Sequence, residues 1–164
     1  MLKKIRRVGL LRLKALLLSV VLLASCDGTV FHRFEQVDSV GWASDDTLSF
    51  VYDGSSILSY GSEMEYVLQV RYGAGYRYKN LLMRVESWKD TVLISVDTLC
   101  CKIYDDDGRR LGSTAGTIYQ NESDASSIIA SYTDTLTFKV SHIMHDNVLP
   151  DIFDVGVKMA ATKR

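Results

Sequence analysis

The chain has 164 residues, 47% of them hydrophobic, with 19 Lys and Arg against 20 Asp and Glu and a formal net charge of −1. One proline and three cysteines exclude a proline-rich linker protein and a disulfide-dense scaffold. Six of the basic residues crowd residues 1–14, and the rest of the chain holds 13 basic against 20 acidic residues, near −7, which argues against nucleic acid as a partner.

Lys3, Lys4, Arg6, Arg7, Arg12 and Lys14 stand without an acid among them, and Ala15 to Ala24 is almost purely aliphatic. That is the charge and apolar order of a secretory signal. A transmembrane helix needs about 20 apolar residues, and this run stops near half of that. Leu23-Ala24-Ser25-Cys26 resembles a bacterial lipobox, in which small residues let a peptidase bind the backbone and the cysteine takes the lipid. Residues 1–25 are therefore expected to be a removed lipoprotein signal peptide. Cys26 is expected to carry acyl chains that hold the protein to a membrane, residues 26–30 to form a lipidated tether, and residues 31–164 to form one domain.

Beyond the tether, Met64, Tyr66, Leu68, Val70 and Tyr72 alternate with Glu63, Glu65, Val67, Gln69 and Arg71, a period of two. The same alternation runs through Leu48–Tyr52, Leu81–Val85, Val92–Val96, Leu136–Val140 and Val155–Met159. Polar turns separate these runs at Asp53–Ser56, Tyr72–Gly75, Asp105–Gly108 and Asn121–Asp124. The pattern predicts an all-β fold, a single antiparallel β-sandwich of about eight strands, with one helical turn near Ser123 to Ala130. Pro150 lacks an N–H for a ladder and marks the connection into a last strand starting at about Asp154.

The chemistry-bearing residues are sparse. Cys100 and Cys101 are adjacent and point to opposite faces if they lie in a strand, so two free thiols packed as small hydrophobes are expected. His142 and His145 could share a metal ion on a helix but not on a strand, and no metal or other cofactor is expected. Asp105-Asp106-Asp107-Gly108 lacks the spacing of a calcium loop and reads as a hairpin tip. No nucleophile-elbow sequence surrounds any serine, and no catalytic residue is assigned. Tyr72, Tyr76 and Tyr78, interleaved with Arg71, Arg77 and Lys79, form the candidate binding surface, with Tyr72, Tyr76, Arg77 and Tyr78 at its centre.

Several phrases in order resemble the gliding motility lipoprotein H (GldH) family of the Bacteroidetes. These are Gly41-Trp42 with Asp45-Asp46-Thr47-Leu48-Ser49-Phe50, then Tyr76, Tyr78, Asn80 and Leu81, then Asp97-Thr98-Leu99. Asp107-Gly108-Arg109 with Leu111-Gly112, Asn147-Val148-Leu149-Pro150 and Asp154-Val155-Gly156 follow. The chain departs from the family pattern at Arg77, where a proline is usual, at Arg110, where an aromatic is usual, and at Asp151, where a glycine is usual. The resemblance implies a non-enzymatic envelope lipoprotein allied with gliding and type IX secretion, in the outer membrane facing the periplasm, with envelope proteins as partners. Two other readings stay open: a carbohydrate binder using Trp42, Trp88 or the tyrosines, and a hydrolase.

Overall fold

Alternating residues become two packed sheets in the computed structural model, which describes residues 28–54 and 61–162. The expected signal peptide and Cys26 lie outside the described residues. One sheet holds β1 (Thr29–Gln36), β12 (Ile152–Ala161), β4 (Ser62–Tyr72), β8 (Ile118–Glu122) and β7 (Ser113–Ala115), in that order, with β9 (Ser126–Ala130) also pairing β4. The other holds β3 (Leu48–Tyr52), β10 (Leu136–His142), β5 (Asn80–Lys89) and β6 (Val92–Lys102). β2 (Trp42–Ala43) and β11 (Val148–Leu149) form a small separate ladder, and all pairings are antiparallel. The all-β sandwich expected from the period-two pattern is what the chain forms.

Alternation decides which face is buried. Leu48, Phe50 and Tyr52 of β3 are buried while Ser49 and Val51 are exposed, and Met64, Tyr66, Leu68, Val70 and Tyr72 of β4 all point inward. Tyr66 of the first sheet meets Phe138 of the second at 4.9 Å between ring centroids, so the two inner faces interdigitate. Its hydroxyl donates to Asp97 at 3.1 Å, which gives a buried phenol its partner.

Four expectations need correction. The segment expected to make a helical turn is strand β9, because two adjacent β-branched residues favour extended backbone and pairing with β4 puts Ile128 inside and Ile129 outside. The last strand begins at Ile152 rather than Asp154, with a register shift between the two. Thr29 and Val30, expected in the tether, belong to β1, with Thr29 opposite Ala160 of β12 and a register shift before Phe31. The described residues form twelve strand segments rather than about eight, the additions being short pairs and the split of one long edge into β8 and β9.

The two ends of the sandwich differ in what they carry. Ala161 N donates to Gly28 O at 3.3 Å and Thr162 N to Glu63 O at 3.2 Å, so the chain enters beside the start of β4. Phe31 packs on Tyr52 at the same end. Tyr72 closes β4 ten residues later, roughly 33 Å away at about 3.3 Å per residue.

Candidate functional site

The tyrosine-rich turn lies at the end far from the chain entry, between β4 and β5. Tyr72 and Tyr76 are 0% and 2% exposed, which corrects their assignment to a binding surface: both rings belong to the core. Burial pushes the Tyr72 phenol up to about 12, and burial likewise raises Tyr76. Tyr72 donates to Asn121 Oδ1 at 2.8 Å, Asn121 Nδ2 donates to Lys102 O at 2.6 Å, and Tyr76 donates to Asn80 O at 3.1 Å. These bonds tie the turn to strands of both sheets.

Arg77 and Tyr78 are the pair the fold presents outward, Arg77 exposed and Tyr78 half-buried. Arg77 Nη2 donates to Asp146 Oδ2 at 2.6 Å, and the Tyr78 hydroxyl donates to the same oxygen. The guanidinium lies 5.3 Å from the Tyr78 ring centroid. Tyr78 and then Arg77 hold the Asp146 carboxyl below its usual range, and Arg77 is raised by its hydrogen bonds to Tyr78 and then Asp146. The surface is thus a cation and a phenol fixed on one carboxylate, an arrangement that leaves both side chains little conformational entropy to lose.

Both remaining departures from the family pattern have physical accounts. Arg110 occupies an aromatic slot, its guanidinium 4.1 Å from the Tyr119 centroid, 4.9 Å from Tyr104 and 5.6 Å from Tyr72. It also donates to Gly73 O at 3.2 Å and Ala74 O at 3.1 Å. Asp151 takes the left-handed conformation, φ 61°, in which glycine is the least strained residue. Its carboxylate accepts from Gly75 N at 2.5 Å and its carbonyl from Gly73 N at 2.8 Å, offsetting that strain by holding the turn.

Arg110→Ala is expected to destabilise the domain by about 2–3 kcal/mol, since it removes several cation–π contacts and two backbone hydrogen bonds together. Arg110→Phe should fall between the variant and the parent, restoring ring packing without the carbonyl bonds. Urea unfolding of the three proteins checks this, and an alanine variant with unchanged midpoint would contradict it.

The other sequence candidates lie apart. Trp42 is fully buried and donates from Nε1 to Asp46 O at 3.0 Å, so it offers no platform to a sugar. Trp88 is half-buried under Lys139, whose Nζ stands 4.8 Å from its ring. His142 is buried and His145 exposed. Asp105 Oδ1 accepts from Asp107 N at 3.0 Å and Arg109 N at 2.7 Å, which makes the Asp105–Gly108 run a turn tip. Cys100 and Cys101 are free thiols, and burial pushes Cys101 up to about 12.

Sequence reasoning missed an ordered outer face on the six-stranded sheet. His32 Nε2 and Gln69 Oε1 are 2.6 Å apart, and Gln69 Nε2 donates to Glu122 at 2.7 Å. Beside them the Arg71 guanidinium lies 3.6 Å from the Phe34 centroid, and Arg71 Nε is 3.0 Å from Asp154 Oδ1. Gly156 makes room for this ring, because a Cβ there would stand 2.7 Å from Phe34 Cδ1. Burial raises the Asp154 carboxyl while Arg71 opposes the rise. A depression of about 380 Å³ adjoins the face, lined by Glu65, Val67, Glu122 and Lys158 among others. The polar half of the β4 alternation was its only sequence signal, since the partners come from register with β1, β8 and β12.

Residues 29–159 match the family model described as GldH lipoprotein, which covers the sandwich from its first strand almost to its last residue. The chain belongs to the GldH lipoprotein family. Membership puts it among envelope lipoproteins associated with gliding motility. No curated protein matches the chain. Among solved structures, a Clostridium thermocellum xylanase comprising CBM22-1 and GH10 modules is 13% identical, with TM-score 0.39, over 85% of this chain and 29% of its own. The Eiger TNF of S. frugiperda is 9% identical over 82% and 94% of the two chains, with TM-score 0.28. The Drosophila NLP core is 14% identical over 82% and 100%, with TM-score 0.25.

Proposed function

We propose that this family member is a non-enzymatic docking lipoprotein, anchored through acyl chains on Cys26 in the outer membrane and facing the periplasm. The observation that carries the reading is the separation of the two ends. Gly28 sits beside the start of β4, two residues after Cys26, while Arg77 and Tyr78 sit beyond its other end. An anchor on Cys26 would hold the entry end at the bilayer and direct the Arg77–Tyr78–Asp146 surface away from it, toward envelope proteins. Confinement to the membrane raises effective concentration toward other membrane-held proteins without any new contact.

Arg77→Glu combined with Tyr78→Ala tests the contact surface. In affinity capture of the full lipidated chain from its own envelope, the double variant is expected to lose co-isolated envelope proteins at least tenfold. Membrane association should stay as in the parent, and the thermal midpoint should fall only modestly, since Arg77 is exposed while Tyr78 packs at the margin of the core against the Tyr76 ring. Unchanged capture would remove this surface from the proposal.

A further inference from the structure

Strand β6 is an edge of the four-stranded sheet, and its two halves are treated differently. At its C-terminal half the sandwich closes: Asp124 N donates to Cys100 O at 3.0 Å, Asn121 Nδ2 to Lys102 O at 2.6 Å, and Cys101 bridges Ser123. The last ties are through side chains, Ser126 Oγ to Asp97 Oδ2 at 3.4 Å and the Tyr66 hydroxyl to the same oxygen at 3.1 Å. Among the described residues the backbone of Val92–Thr98 pairs only with β5, and β9 pairs only with β4. The backbone seam is therefore open along seven residues at the end where the chain enters.

That open stretch is also the most apolar exposed segment of the edge. Val92, Leu93, Ile94 and Val96 are 62%, 43%, 42% and 46% exposed. Residues 92–98 contain no lysine, arginine or proline, the residues that usually blunt a free edge, whereas edge strand β1 carries His32, Arg33 and Glu35 outward. A free row of backbone N–H and C=O groups flanked by β-branched side chains is a template for one more strand.

We infer that the Val92–Thr98 edge receives an extended, apolar, neutral or basic segment of a second membrane-held envelope protein. Charge favours such a segment, because Asp90 precedes the edge, Asp97 lies within it and the chain after residue 25 is near −7. A second copy of this chain fits poorly. Two-fold pairing of identical edges runs antiparallel and turns the Gly28 ends in opposite directions, whereas the single residue between Cys26 and Gly28 keeps both ends at one bilayer surface. This step rests on the anchoring at Cys26.

Amide hydrogen exchange on the full lipidated chain tests the inference, compared between isolated native envelopes and detergent-purified protein. Residues 92–98 are expected to exchange at least tenfold more slowly in the envelope and to lose that protection on purification. Val96→Lys should abolish the envelope protection while leaving the thermal midpoint unchanged. A photoreactive benzoylphenylalanine at position 96 should crosslink to a different protein chain, and one at Ser49 on the opposite edge should not. Equal exchange in both samples would overturn the inference. So would protection that grows with the concentration of purified protein, which means a second copy, or protection restored by phosphatidylethanolamine–phosphatidylglycerol vesicles alone, which means the bilayer. Failure of the anchor is read separately, from fractionation of Cys26→Ala, and leaves the crosslink at position 96 as the measure of the edge.

Discussion

Cys26→Ala is expected to carry no fatty acid and to move the processed domain from the membrane to the soluble fraction almost completely. Each buried CH₂ contributes about 0.8 kcal/mol of membrane affinity, so one acyl chain is marginal while two or three hold. The chain after residue 25 is near −7, which disfavours anionic headgroups, and no helix among the described residues is long and apolar enough to cross a membrane. Metabolic labelling with a fatty-acid analogue, followed by fractionation and N-terminal mass measurement, checks both parts. A variant that has lost residues 1–25 and still fractionates fully with the membrane would refute anchoring at this cysteine.

Trp42→Ala is expected to cost about 3–5 kcal/mol of stability, the usual range for emptying a buried aromatic site. The ring is fully buried, its Nε1 satisfies Asp46 O, and it packs edge-on against His142 at 5.2 Å. The loss therefore removes packing and leaves a half-buried carbonyl without its donor. The same contact has a pH signature. His142 Nε2 lies 3.1 Å from Trp42 O, and burial lowers the pKa of the imidazole despite that bond. A histidine with a folded pKa below its unfolded value lends stability above the unfolded value, near 6.5, and loses it as pH falls through the folded one. Urea unfolding at pH 7.5 and pH 5 should show a drop on acidification in the parent that His142→Gln reduces. A Trp42→Ala protein within about 1 kcal/mol of the parent would mean that the site collapses around the loss.

The family phrases around these residues acquire physical meaning in the fold. Gly41-Trp42 with Asp45-Asp46 is a buried indole and the backbone that accepts its proton, and Gly41 leaves room where a Cβ would stand 2.4 Å from Leu149 O. Arg110 lays a flat cation among tyrosines, and Asp151 caps the turn it strains.

Chain order and alternation were enough to determine the all-β class, the inward set on β3, β4, β5 and β10, the polar turn at Asp105–Gly108 and the family. Period two assigns faces directly, because successive side chains of a strand point to opposite sides. Alternation cannot say what lies at a strand's end or across its edge. Tyr72 and Tyr76 look like contact residues in the chain and become core residues where the sheets close over them, while β9 is a strand because β4 offers it a ladder. Tertiary structure alone decided which tyrosine faces outward, which half of β6 stays open and how far Arg77 and Tyr78 stand from the chain's entry at Gly28, since each depends on pairing between residues distant in sequence.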